Sequence, residues 1–335
     1  MRVRLEVVAP LDEAESISED DVRRAMRGRA GGLEAVASRG ERESARADGA
    51  GSHRASSGAE HVARPESEAA QQFWTDLRRS TQSRIGLGRT GDALPTTRVL
   101  EFRAAHAAAR DAVHLPLDVG ALGERVAALG VGEPAHVRSR ASDRAEYLRR
   151  PDLGRLPAEL SGVAGGSALS VVPRSGAEIG FVLADGLSPR ALTDHGPATL
   201  AALIEELAPH YSIAPPVIAT QARVALGDHI ADAMGVATVV VLIGERPGLS
   251  VADSLGIYLT HLPRPGRTDA DRNCVSNTHP PEGLGYAQAA KVVAGLISGA
   301  RRLGRSGVDL KDTSRAALAE GAVVSIESAN GALPH

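Results

Sequence analysis

Residues Thr238-Val239-Val240-Val241-Leu242-Ile243 decide the fold class. The run is apolar without alternation and rich in β-branched side chains, which lose rotamer freedom in a helix and suit a pleated surface. A strand apolar on both faces belongs in the middle of a sheet that is covered on both sides, the usual setting of a parallel strand. Upstream, PPVIATQARVA (Pro215–Ala225) reads as a second strand and GFVLADGLS (Gly180–Ser188) as an apolar run ending in a turn. Between them Leu200, Leu203, Ile204 and Leu207 recur with helical spacing as far as Pro209, behind a Ser188–Pro189 cap and first-turn pair. Asp228–Met234 is a short helix closed by Gly235. Downstream, Ser250 and Asp253 have capping-box spacing. GIYLTHL (Gly256–Leu262) and CVSN (Cys274–Asn277) are extended candidates. Ala287–Leu303 is a closing helix with Val292, Val293, Leu296, Ile297 and Ala300 inward. Alternating strands and helices predict a Rossmann-like α/β layered domain with a mainly parallel sheet.

The flanking sequence sorts into further segments. Residues 67–160 read as a helical N-terminal part of the core. Helices are expected at Glu68–Arg79, at Thr97–Val113 with Leu100, Ala104 and Ala107 on one side, and from Ser142 to Pro151. Residues 161–304 carry the α/β domain and 305–335 a C-terminal tail. In 37–66 the only large aliphatic side chain is Val62, too little to offset backbone ordering at about 1–2 kcal/mol per residue. That stretch reads as a disordered linker. Residues 1–36 are an N-terminal extension with one short amphipathic helix. Ser18 caps it, Glu19, Asp20 and Asp21 fill its first turn, and Val22, Ala25 and Met26 share a face before Gly28.

Charge and cysteine content narrow the function. Lys+Arg 38 against Asp+Glu 41, a net charge of −3, gives no electrostatic case for nucleic acid or an anionic membrane. A single cysteine excludes an internal disulfide and a cysteine-rich metal cage. No apolar run nears the roughly 18 residues of a membrane span, and MRVRLEVVAPLDE has no signal core, which predicts a cytoplasmic protein.

Several motifs invite chemistry. Gly86–Gly91 (GLGRTG) matches a dinucleotide fingerprint, but the basic, polar residues before it are no strand, and Pro95 delays the helix. A structural or inter-subunit loop is the better reading. Asp185-Gly186 and Gly244-Glu245 lie at the carboxyl ends of apolar strands, where open α/β sheets bind ligands. Glu245 is a candidate acceptor for amide N–H groups, or else a cap or a partner of Arg246. Cys274 is a buried small residue or a ligand contact. Arg264, Arg267 and Arg272 bind phosphate or pair with Asp269 and Asp271. His195, His210, His229 and His261 form no metal-binding spacing. The chemistry alone specifies an α/β ligand-binding domain without a catalytic set of its own, a subunit that binds something for a partner.

Five blocks go further: LRRSTQSRIGLGRTG (77–91), EYLRRPDLGRL (146–156), VLADGLS (182–188), VVVLIGERPGLSVADSLGIYLT (239–260) and RPGRTDADRNCVSN (264–277). Together, over roughly residues 68–303, the sequence resembles the small (light) subunit of ethanolamine ammonia-lyase. The resemblance implies a carbon–nitrogen lyase that turns ethanolamine into acetaldehyde and ammonia by a radical route. It also implies a large TIM-barrel partner subunit that binds most of the substrate, with adenosylcobalamin between the two. The family's cofactor contacts carry over to Val224 in ARVALGDHI, Glu245 in IGERPG and Cys274 in DRNCVSN. No catalytic residue and no metal ligand carry over. The D-x-H-x-x-G motif that offers histidine to cobalt in other cobalamin proteins is absent, which implies base-on binding. Between Glu245 and Cys274 the chain is one residue shorter than some members, within the arginine-bearing loop. The short helix before the linker resembles those that send family members into bacterial microcompartments. The rival readings are a stand-alone nucleotide-binding or regulatory α/β protein, and a dehydrogenase built on Gly86–Gly91.

Overall fold

A computed structural model describes residues 68–159 and 166–311, in two units, Met1–Pro95 and Thr96–His335. The expected N-terminal helix and linker lie outside the described residues. In the first unit, helix α1 (Glu68–Arg79) leads into the glycine-rich loop. Gly86 has φ +56° and lies flat under the Trp74 indole, where a Cβ would collide with the ring; Arg78 donates to its carbonyl at 2.6 Å. The loop therefore turns against its own helix. No strand enters it, as the structural reading of GLGRTG requires.

The second unit begins with α2 (Thr96–His114), followed by α3 (Val119–Ala127), strand β1 (Ala135–Arg138) and α4 (Arg144–Arg149). Then come β2 (Ile179–Ala184), α5 (Pro189–Leu207), β3 (Val217–Thr220), α6 (Leu226–Met234) and β4 (Thr238–Gly244). The chain closes with β5 (Leu255–His261), β6 (Asn273–Thr278) and α7 (Tyr286–Leu303). The fold is mixed α/β around a six-stranded, mostly parallel sheet in the order β1-β3-β2-β4-β5-β6. The first four strands run parallel; β5 and β6 are antiparallel additions beside β4.

Every residue of β2 and of β4 is buried, as a continuous apolar run demands of a central strand. Alternate side chains serve two cores. Phe181, Leu183, Val240, Leu242, Ile257 and Val275 pack with α3, α5 and α7 on one face. Val182, Ala184, Val239, Val241 and Ile243 pack with α6 on the other. Ser188 caps α5 as its spacing predicts, accepting from the Ala191 N–H at 3.2 Å. Gly235 ends α6 with φ +69°.

Two local signals mislead. No helix follows Ser250; Gly248 N–H bonds to the Val251 carbonyl at 2.7 Å and Glu245 N–H to the Ser254 carbonyl at 3.0 Å, so the chain turns straight back into β5. The β pattern of residues 255–261 leaves a helix no length, and pairing to β4 outweighs the capping signal. Inside the stretch read as helical, AHVR forms the edge strand β1. Only Val137 of its four residues is buried, too short a pattern to show periodicity.

Strands β3 and β4 leave β2 on opposite sides, so the strand order reverses at the carboxyl end of β2. There the turns touch: Gly186 has φ +55°, and a Cβ on it would run into the Gly244 carbonyl, while one on Gly244 would run into that of Ser188. Packing continues past α7. Ser306 Oγ donates to the Asp271 carbonyl at 2.6 Å, and Asn273 Nδ2 to those of Gly307 and Leu310. No helix among the described residues is long and apolar enough to cross a membrane.

Candidate functional site

The reversal of strand order is where open α/β sheets place ligands, and its residues are fixed from below by Asp185. That carboxylate, 2% exposed, accepts the Gln221 N–H at 2.8 Å and the Ala222 N–H at 2.9 Å, with Arg144 Nη1 3.6 Å away. Burial pushes its pKa up, against the pull of those N–H groups and of Arg144. The bonds hold Gln221 at φ +54°, a left-handed conformation that an unsupported Gln avoids. Tyr147 donates to the Ala222 carbonyl at 3.0 Å, and the Arg223 guanidinium lies 4.4 Å from its ring centre. The β3–α6 turn is thereby clamped, and Val224 emerges half-buried on the α6 side of the sheet, against the same cluster as Tyr258. Asp185 is marked in the sequence as a strand-end acid; its part as a backbone anchor depends on partners 36 and 37 residues away.

Glu245 follows β4 directly and is half-buried. It accepts Ser254 Oγ and Ser276 Oγ, each at 2.5 Å, and the Asn277 N–H at 3.3 Å. It is therefore neither a helix cap nor Arg246's partner, but the link between the end of β4 and strands β5 and β6. Cys274 is an exposed residue of the edge strand β6, in register with Tyr258 of β5, which pairs in turn with Val241 of β4. Burial of the sulfur pushes the thiol pKa up, a hydrogen bond with the Tyr258 hydroxyl works against this, and the Glu245 charge adds to it. Burial also raises the Tyr258 phenol, reinforced by Cys274 and Glu245. Gly227, at the start of α6, lies against Val241, so it continues the row Val241–Tyr258–Cys274.

Cys274 and Glu245 thus share Tyr258 as a neighbour, and Val224 joins them through the common apolar cluster on the same sheet face. Measured across four strand spacings of about 4.8 Å, from β3 to β6, the patch is about 20 Å wide. Tyr258 is the member that sequence reasoning missed, although its place in the β5 alternation, opposite in parity to Ile257 and Leu259, was readable.

Other candidates are used structurally. The Arg272 guanidinium, 2% exposed, bonds to Asp228 at 2.7 and 2.8 Å and to Thr260 Oγ1 at 3.0 Å, and Arg267 approaches Asp271 at 3.4 Å. For these two, pairing describes the side chain and phosphate binding does not. His195 bonds to Tyr286 at 2.8 Å on the opposite side of the sheet, and His261 to Thr238 at 2.8 Å. Among the described residues no group of three or more His, Cys, Asp or Glu is placed to hold a metal ion. The patch offers an acceptor carboxylate, a thiol, a phenol and an aliphatic contact over a wide, shallow area.

Residues 71–311 match the model of the ethanolamine ammonia-lyase light chain (EutC) family. A Rhodococcus erythropolis protein named ethanolamine ammonia-lyase small subunit is 70% identical over 256 residues, 76% of this chain and 96% of that one. Proteins of the same name from Ralstonia nicotianae and Azotobacter vinelandii are 47% and 46% identical, over 75% and 76% of this chain and 92% and 94% of their own lengths.

Proposed function

Because the chain belongs to the ethanolamine ammonia-lyase light-chain family, we propose that it is one half of an adenosylcobalamin site, with Val224, Glu245 and Cys274 as its cofactor contacts. With a large subunit, which the relatives' names imply, it takes part in converting ethanolamine to acetaldehyde and ammonia. The observation that carries this reading is the single wide patch shared by elements following β3 and β4 and by β6. Its residues would fit a corrin: Glu245, which accepts Ser254, Ser276 and Asn277, would also accept amide N–H, Val224 would cover apolar edge, and the Tyr258–Cys274 row would line it beside Gly256, which has no side chain. Adenosylcobalamin, when bound, supplies the radical chemistry; this chain binds and orients it and shields one side from water. The crossover at β2 supports reading the fold as Rossmann-like.

The test is co-expression with the cognate large subunit. Acetaldehyde release should require both chains and added adenosylcobalamin. A chain that forms no such enzyme yet binds a nucleotide tightly by itself would instead be a regulatory α/β protein.

The helix expected at residues 18–28 is proposed as a microcompartment address within the cytoplasm. A fluorescent protein fused to residues 1–34 should collect in shells; diffuse fluorescence in shell-producing cells removes the idea.

A further inference from the structure

We propose that His195 is a positioning residue for Glu245: protonation of its ring draws Asp253 inward and tightens the hold of the site on its cofactor, which rests on the reading of Glu245 above. His195 lies on α5 and is 9% exposed. Its Nδ1 is 2.8 Å from the hydroxyl of Tyr286, the first residue of α7. Its Nε2 is buried, has no hydrogen-bond partner among the described residues, and stands 3.8 Å from Asp253 Oδ2. A carboxylate on that side favours the neutral ring with its proton on Nε2, so Nδ1 accepts the phenol O–H. The Nε2–H thus faces a carboxylate just beyond hydrogen-bond range, a gap that a positive charge on the ring closes.

The imidazole side of this gap is fixed. Pro197 has no N–H for the Thr193 carbonyl, which Arg125 Nη1 takes at 2.6 Å instead, and Thr199 Oγ1 donates to the carbonyl of His195 itself at 2.8 Å. Asp253, 31% exposed in the connection between β4 and β5, is the side that can move. The next residue, Ser254, holds Glu245 twice. Its Oγ donates to the Glu245 carboxylate at 2.5 Å, and its carbonyl accepts the Glu245 N–H at 3.0 Å. A second connection, from β6 to α7, meets the same ring. It contains His279, whose Nε2 is 2.7 Å from Asn277 Oδ1, and the Asn277 N–H also reaches Glu245. His195 therefore sits one residue behind two of the groups that orient the carboxylate.

The charged and titratable groups around the ring are Arg190 and Asp194 on α5, Asp253 before β5, His279 after β6 and Tyr286 on α7. Burial holds the His195 pKa below the ordinary imidazole value, Asp253 and Asp194 pull it back up, and His279 opposes them. The ring is therefore neutral near neutral pH and gains its charge as the pH falls below about 6.5. Charge on Nε2 then restrains the β4–β5 connection and preorganises Ser254 and Glu245, so the site should bind its cofactor more tightly on the acid side.

The test uses the full chain by itself and its complex with the cognate large subunit. In the chain alone, NMR of labelled histidine rings follows the His195 titration, its signal being the one lost in His195→Gln. Asp253→Asn should lower that midpoint by about one unit, because it removes the charge that favours the imidazolium. In the complex, wild-type cobalamin retention should rise about fivefold as the pH falls from about 8 to about 5.5, the low end of a coupling between two groups. Retention should stay flat over the same range in His195→Gln and in Asp253→Asn, the second serving alone if the first does not fold. A pH dependence that survives either substitution overturns the proposal, even where retention falls equally at every pH, since that is what a merely structural histidine would give. A His195 midpoint that Asp253→Asn does not move overturns it too. If the His195 midpoint responds to Asp253 but Glu245→Ala holds cobalamin as the wild type does, the reading of Glu245 is what has failed, and the proposal falls with it.

Discussion

Arg272→Leu should lower the melting temperature of the chain by roughly 6–20 °C. The Arg272 and Asp228 side chains are each 2% exposed and joined by two hydrogen bonds, so removing one leaves the other charged and unpaired in the interior. That typically costs about 3–5 kcal/mol, and each kcal/mol moves a unit of this size by roughly 2–4 °C. The double variant Asp228→Leu, Arg272→Leu should recover most of the loss, since an apolar pair of similar volume requires no buried charge. Thermal melts of the four proteins form a double-mutant cycle. A single variant that melts within two degrees of wild type, by rough expectation from these magnitudes, would show that the pair does not hold the fold.

The effect should reach the candidate site. Arg272 immediately precedes β6, Asp228 lies in the first turn of α6, and Thr260 in β5 is a further partner. One guanidinium therefore ties the strand carrying Cys274 to the helix that begins after Val224. Loosening it should separate two of the proposed contacts even in molecules that remain folded.

This bridge also shows what the sequence could and could not reveal. Central strands were legible because burial on both faces writes itself as an uninterrupted apolar run, in TVVVLI above all. The α5 start was legible because Ser188 and Pro189 act within one turn. Local signals failed where a competing element lay nearby, as at Ser250 and Asp253, whose spacing was overridden by the return of β5 onto β4. Leu100, Ala104 and Ala107 share one side of their helix, as their spacing requires, but that side is exposed and the half-buried side is Val99, Ala105, Ala109 and Val113, a choice that helical period alone does not make. At the candidate site, Glu245 and Cys274 could be named from blocks of residues. That Ser254, Ser276 and Tyr258 surround them depends on the register of β4, β5 and β6, which no single strand encodes. Asp228 and Arg272, 44 residues apart, were each visible only as a charge; an ion pair of that span becomes apparent when the sheet is assembled.

Glu245→Ala should leave the chain folded and reduce cobalamin retention by the two-subunit complex about 10- to 100-fold. The side chain is half-buried at the mouth of a loop, and Ser254 and Ser276 can turn to water when it is removed. A hydrogen bond to a charged acceptor contributes about 1.5–3 kcal/mol, and each 1.4 kcal/mol is about tenfold in affinity. Retention is read from the cobalamin absorbance that stays with the complex after gel filtration. Cys274, the only cysteine, gives a second readout through alkylation. In the cofactor-free state the variant should react faster than wild type at equal pH. The Glu245 charge helps to hold the thiol pKa up, so its loss lowers that pKa and increases the thiolate fraction. Adding cobalamin should slow alkylation strongly in wild type and weakly in the variant, so the ratio with and without cofactor reports contact separately from reactivity. Faster alkylation with undiminished protection and unchanged cobalamin affinity would leave Glu245 as Cys274's electrostatic neighbour and remove it from the cofactor's contacts.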